Sequence, residues 1–255
     1  MDILKVKERL DREVKSRDSS IEISKDKPDP LLIAHRYRDE YISLISALFA
    51  YGKASQIVKF LDSLDFSLLD SDSRTIENSL LEKKYRFQNS QDIIEFFKAL
   101  SKMKKDNLSL QDIFHTGYRD RYSVLDGIGE LIKVVESYSN SYQSRGYRFL
   151  LGTPPKEKLI GQSPYKRWNM FLRWMVREDS LDMGLWSGID RSHLLMPLDT
   201  HTFNISRELG LLHRRTYDLK AVAELTEKLK EFDPEDPVKY DFAIYRIGQE
   251  GLLDK

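Results

Sequence analysis

Residues 165–179 read "YKRWNMFLRWMVRED", and one regular structure suits them. Tyr165, Trp168, Leu172 and Met175 recur at three- and four-residue steps, and Phe171 and Trp174 widen the stripe they make. Lys166, Asn169, Arg173 and Arg177 follow the same period and share the remaining face. A strand would alternate every second residue, and this stretch does not. The reading is a helix with an aromatic face and a basic face. Between 156 and 177 there are six basic residues and one acidic, the most basic stretch of the chain.

The helical period extends in both directions. Ile3, Val6, Leu10 and Val14 form one stripe. The segment "EYISLISALFAYG" (40–52) is apolar nearly all round and stops at Gly52, which predicts a buried helix with a glycine C-cap. Helical patterns follow over 55–64, 90–103, 109–118, 123–142, 216–232 and 233–253, the last with Asp236 as N-cap and Pro237 at the first helical position. No segment alternates with period two between hairpin turns, so the expected fold class is all-α. The stretch "LGTPPKEKLIGQSP" (151–164) holds three of the eight prolines and is the best hinge. The expected organisation is an N-terminal helix over 1–34 packing on the C-terminal lobe, a helical lobe over 35–155, and a second lobe over 156–255.

Lys+Arg and Asp+Glu balance at 41 each. That argues against binding nucleic acid by bulk charge but leaves room for a locally basic groove. The absence of cysteine excludes disulfides, a thiolate nucleophile, an iron–sulfur cluster and a cysteine zinc site. No two of His35, His115, His193, His201 and His213 have the i, i+4 spacing of a helical metal pair, so neither a metal nor a cofactor is expected. The N-terminus is amphipathic and charged, without an apolar signal core, and no window approaches the ~20 apolar residues of a membrane span. The expectation is a soluble, cytoplasmic, monomeric protein.

Chemistry enters at residues 196–211, "MPLDTHTFNISRELGL". A helix opens behind Pro197 and runs to Gly210, with Asp199 where it begins. Taken alone, Asp199 is an ordinary N-cap and Lys166 an ordinary solvated lysine. Trp168, Trp174 and Trp186 read as core rather than as base-stacking platforms. Arg173 and Arg177 divide between a solvated face and phosphate contacts.

Taken together, Lys166 near a helix start and the later "LDTH" (Leu198–His201) resemble the helix–hairpin–helix (HhH-GPD) DNA glycosylase superfamily, whose signature is a short V-D-T-H or V-D-V-H segment opening a helix. The shorter lysine-to-aspartate spacing of endonuclease III would fall on Leu181. Lys166 precedes Asp199 by 33 residues, which is similar to the longer spacing of the archaeal 8-oxoguanine glycosylases. Arg173 stands seven positions after the lysine, as a basic residue does there. In that branch the last helix carries an Asp, an aromatic and a Gly, and the first two face the flipped base; Asp241, Tyr245 and Gly248 stand at the matching offsets. The pattern also looks like a bacterial branch of the superfamily. The resemblance covers about residues 35–253. The two-glycine hairpin motif is reduced to one glycine in "IGQSPYKRW", which weakens the expected phosphate contact.

The resemblance implies a two-lobed fold with a central cleft and base-excision repair of double-stranded DNA, with an oxidised purine as the expected lesion. It implies that Lys166 attacks the sugar, with AP-lyase activity following, that Asp199 is the catalytic carboxylate, and that Asp241 and Tyr245 line the base pocket. Asp241 also has a simpler reading, as a group bonding its own helix terminus. Lys53 and Gln56 stand near the end of the early helix, where the family carries a glutamine close to the DNA. Arg167, Arg173, Arg177 and His201 complete the expected DNA contacts, and His201 has a structural reading as well.

The residue types suit the chemistry independently. Breaking an N-glycosidic bond builds positive charge on the sugar, which a carboxylate steadies, and a neutral lysine amine can attack C1′ to form a Schiff base. The target base must leave the stack to be reached. Two other readings stand beside this one: a nucleic-acid-binding module of the same fold without turnover, and a helical protein-interaction domain.

Overall fold

The computed structural model describes residues 2–19, 22–24, 26–140 and 142–251. Among them are thirteen α-helices joined by loops and short 3-10 turns, with no strand pairing beyond two isolated bridges. The chain divides into two compact units, one of residues 28–155 and one joining 1–27 to 156–255.

In chain order, α1 (Ile3–Arg17) precedes the 28–155 unit. That unit contains α2 (Leu31–Tyr37), α3 (Glu40–Leu48), α4 (Ala54–Asp62), α5 (Ser73–Leu80), α6 (Ser90–Lys105), α7 (Leu110–Tyr118), α8 (Val124–Tyr138) and α9 (Arg145–Leu151). The chain then returns to the unit that α1 began, through α10 (Lys166–Val176), α11 (Thr200–Glu208), α12 (Leu219–Lys230) and α13 (Asp241–Gln249).

In the 28–155 unit, α3 is buried from Tyr41 to Leu48, as its all-round apolar sequence requires. It does not reach Gly52. The Phe49 amide bonds the Ile45 carbonyl, the Ala50 amide bonds Ala47, and these bonds close the helix three residues early. Gly52 instead takes a left-handed φ of 106° where the chain turns into α4. Glycines also set the crossing of α7 and α8: a Cβ on Gly127 would lie 2.4 Å from the Phe114 ring, and one on Gly117 would lie 2.4 Å from the Asp126 carbonyl oxygen.

In the other unit, α1 packs its Val6 and Leu10 inward and is tied to the C-terminal helices. Tyr240 donates to Asp11 at 2.8 Å, and Arg17 pairs with both Glu13 and Glu250 at 2.8 Å. The helix expected over 233–253 is two elements, a 3-10 turn over Pro237–Tyr240 and then α13. Asp236 makes no side-chain cap there, because its carboxylate is occupied by Arg177. Ser141 of the expected 123–142 helix, and residues 252 and 253, lie outside the described residues. No helix among the described residues is long and apolar enough to cross a membrane.

Candidate functional site

Helix α10 starts at Lys166 without a capping side chain, since Tyr165 sits in the left-handed region at φ 49° and bonds no first-turn amide through its side chain. Its end is closed by the chain that follows. The amides of Met183 and Gly184 reach the Trp174 carbonyl, and the Trp186 amide reaches that of Met175 at 2.8 Å, so these two carbonyls of the last turn are satisfied. Trp168, Trp174 and Trp186 are all core.

Helix α11 opens at Asp199, whose Oδ1 accepts from the Thr202 amide at 2.8 Å. The segment before it is pinned from two sides. The Met196 amide donates to Thr226 Oγ1 at 3.0 Å, and the Tyr217 hydroxyl donates to the Leu198 carbonyl at 2.9 Å. Burial pushes the Tyr217 hydroxyl pKa up, and the Asp199 charge adds to the shift. The Asp199 carbonyl accepts from the Phe203 amide at 2.8 Å, so the carboxylate bond to Thr202 belongs to the cap alone.

Asp241 is the first residue of α13 and is 7% exposed. Its carboxylate pairs with Arg173. Burial pushes its pKa up to about 6; Arg173 and Lys166 pull the other way, and Asp199 and Asp182 reinforce the rise. Lys166 and Asp199 therefore both bear electrostatically on one buried carboxyl. Lys166 is half-buried, and its Nζ lies 3.5 Å from Met170 Sδ. No ion pair joins it to a carboxylate among the described residues.

Tyr245 lies one turn further along α13, with its ring edge-on to His201 at 5.9 Å. The Gly248 position lets α13 approach α11 here: a Cβ would meet His201 Nε2 at 2.5 Å and Ile205 at the same distance. His201 Nε2 is buried against this contact, with no hydrogen-bond partner among the described residues.

The largest correction concerns Arg173 and Arg177. Neither is a free phosphate contact, because the structure buries both to under a tenth of their exposure. Arg173 bonds Asp182 at 3.1 Å as well as Asp241. Arg177 bonds Asp182, Asp179 at 2.8 Å and Asp236 at 2.9 Å. Burial raises the Asp182 pKa, while the three surrounding carboxylates hold the Arg177 pKa above its ordinary value. The acids that matter, Asp182 and Asp236, do not stand out in the sequence as partners of this helix. One signal is present there: "REDSLD" (177–182) is acid-rich directly behind the basic helix.

A pocket of about 240 Å³ opens at this network, with Arg17, Arg173, Arg177, Asp182, Asp236 and Lys239 in its lining. Lys166, Asp199, Asp241 and Tyr245 do not line it. The hairpin-like segment is a loop. Gly161 takes a φ of 75°, and its amide donates to Asp218 at 3.2 Å. Arg214, that amide and the Ala221 amide hold the Asp218 pKa down at about 2. Arg167 is half-buried, and Lys53 and Gln56 are exposed at the start of α4 in the other unit. Among the described residues no group of three or more His, Asp or Glu side chains is arranged to hold a metal ion.

No curated protein and no solved structure matches the chain. One family does match, over residues 29–250, and so covers every candidate residue above: the chain belongs to the DUF2400 family, described as a protein of unknown function.

Proposed function

We propose that this protein is a DNA glycosylase of the helix–hairpin–helix kind, two-lobed with a central cleft, which removes a damaged base from duplex DNA. Lys166 Nζ attacks the sugar C1′ as the N-glycosidic bond breaks, and the departing base keeps the bonding electrons. Asp199 steadies the positive charge that develops on the sugar while it caps α11. Asp241 and Tyr245 meet the flipped base. An oxidised purine is the expected lesion by likeness of motif, which is an argument from analogy.

The observation that carries this reading is the convergence on Asp241. It is supported by a lysine with no ion-pair partner among the described residues and a helix-capping aspartate, from two other elements, that both act on this one buried carboxyl. Strained or costly charge placement of this kind is characteristic of reactive sites.

One observation favours a second reading, a nucleic-acid-binding protein of the same fold without turnover. The hairpin-like glycine amide, which would meet a phosphate, is already held by the Asp218 carboxylate. Borohydride reduction on duplexes carrying a panel of damaged bases separates the two. The glycosylase reading expects a covalent adduct with the native protein and none with Lys166→Gln. It expects base excision by Asp199→Asn to fall on the order of 10²–10³-fold. Duplex binding without an adduct on any lesion would leave only the second reading.

A further inference from the structure

The tripeptide Tyr-Arg-Phe occurs twice, at 85–87 and at 147–149. The 28–155 unit places the first copy in a turn and the second within α9, yet gives both the same pattern of burial. Tyr85 and Tyr147 are buried at 7% and 1% exposure, while Phe87 and Phe149 stand out at 56% and 41%. Arg86 and Arg148 are exposed beside them. The two phenylalanine rings meet at 4.7 Å, and Tyr51 joins them, 4.9 Å from Phe149 and parallel to Phe87 within 6°.

This surface is held from beneath. The buried Gln88 side chain accepts from the Tyr51 hydroxyl and donates to the Gly146 carbonyl at 2.7 Å, so it ties three separate segments together. Tyr85 donates to the Tyr51 carbonyl at 2.7 Å. Gly146 permits the approach, since a Cβ there would lie 2.5 Å from the Phe87 carbonyl oxygen. Arg86 occupies a left-handed φ of 50°, unusual for a side-chain-bearing residue, and its guanidinium lies 5.8 Å from the Tyr51 ring centre and 5.9 Å from that of Phe87. The space above Gly52 is what admits it.

Charge decides what such a surface receives. Segments 51–56, 83–90 and 143–149 carry six basic residues and no acidic one, within a chain whose charges balance. An apolar protein partner would need the rings but not the surplus of basic residues in these segments. A simple polyanion would need the basic residues but not the rings. Unpaired nucleobases on a phosphate backbone use both, through stacking on the rings and Arg–phosphate contact. A duplex keeps its base faces stacked on one another.

We infer that the surface built by Tyr51, Arg86, Phe87, Arg148 and Phe149 binds an unpaired nucleic-acid strand by stacking its bases. The inference stands apart from the glycosylase reading, because none of the five residues has a part in that reading and no lesion is involved.

The test uses the full chain and an undamaged oligothymidylate of about 16 nucleotides, a length at the upper end of such sites. Fluorescence anisotropy should show binding at low salt and a loss of roughly tenfold or more in Phe87→Leu with Phe149→Leu, while any binding of a duplex of the same length is left unchanged by those substitutions. Leucine keeps the apolar bulk and removes the stacking face, and Phe87→Trp with Phe149→Trp should restore affinity. Arg86→Ala with Arg148→Ala should flatten the salt dependence by about 0.7 in logarithmic slope for each phosphate that is no longer neutralised. No binding by the native protein, or equal binding of the oligothymidylate by the leucine variant, would overturn the inference. Failure to trap a covalent adduct elsewhere would leave it standing.

Discussion

The two ends of α10 carry the same kind of residue and treat it in opposite ways. Lys166 begins the helix half-buried, with Met170 Sδ its nearest polar neighbour at 3.5 Å. Arg173 and Arg177, two and three turns on, are enclosed by Asp182, Asp236 and Asp241. One end leaves a cation without an ion-pair partner among the described residues; the other turns cations into structure. Guanidinium suits the second task, because its fork of donors can satisfy several carboxylates at once. An ammonium has no such preference for a fixed planar partner, and it can lose its proton and become a nucleophile.

The contrast is broken most sharply by removing charge from each end. Arg177→Ala leaves Asp182 and Asp236 buried without their shared cation. Loss of one member of a buried pair costs about 3–5 kcal/mol, against changes within about ±0.5 kcal/mol for a surface substitution away from such features. Urea unfolding of Arg177→Ala should therefore show a large drop in midpoint, while Lys166→Gln should unfold close to the native chain. Equal midpoints for the two variants would dissolve the distinction between the ends.

Asp241 is where the two ends meet, since it pairs with Arg173 and feels Lys166. Its folded pKa of about 6 lies above the ordinary 3.8. Between those values the folded chain holds a proton that the unfolded chain has released, so the contribution of this group to stability falls as pH rises through that window. Below about 4 both states are protonated and the penalty disappears. Asp241→Asn cannot titrate. The stability of the native protein relative to this variant should thus decline on the order of 2–3 kcal/mol from pH 4 to pH 7, at 1.36 kcal/mol per pKa unit. A relative stability that stays flat across that range would mean that Asp241 ionises normally in the fold.

Much of this architecture can be read along the chain, and the reason is local. Period and caps reside within a few residues of each other, so α1, α6, α7 and α11 announce themselves. Asp199 is read as the N-cap of α11 from sequence, and its Oδ1 does accept from Thr202. What cannot be read is partnership. Arg173 and Asp241 are 68 positions apart, and Arg177 and Asp236 are 59. A basic face at helical spacing looks the same whether it meets water, phosphate or buried carboxylates. The early end of α3 is hidden for a related reason: Gly52 reads as a cap, but tight bonds at Phe49 and Ala50 finish the helix first. Asp236 reads as a cap too, and is not one, because its real partner lies at the end of α10.

The smallest expected effect separates the two tasks given to Asp199. Its Oδ1 bond to the Thr202 amide is a cap that an uncharged oxygen can also make. Asn is about as good an N-cap as Asp, so Asp199→Asn should change stability by no more than a few tenths of a kcal/mol, whereas Asp199→Ala should cost about 1 kcal/mol. If the carboxylate were needed only as a cap, both substitutions would be judged by stability alone and Asn would pass. The proposed chemistry demands a different ordering, because the sugar cation responds to negative charge and not to a capping oxygen. Thermal unfolding should therefore rank native and Asn together above Ala, while excision ranks native alone above both. An Asp199→Asn protein that unfolds with the native chain and excises at the native rate would leave the carboxylate with the cap as its whole role, and Lys166 without the partner that gives it a function.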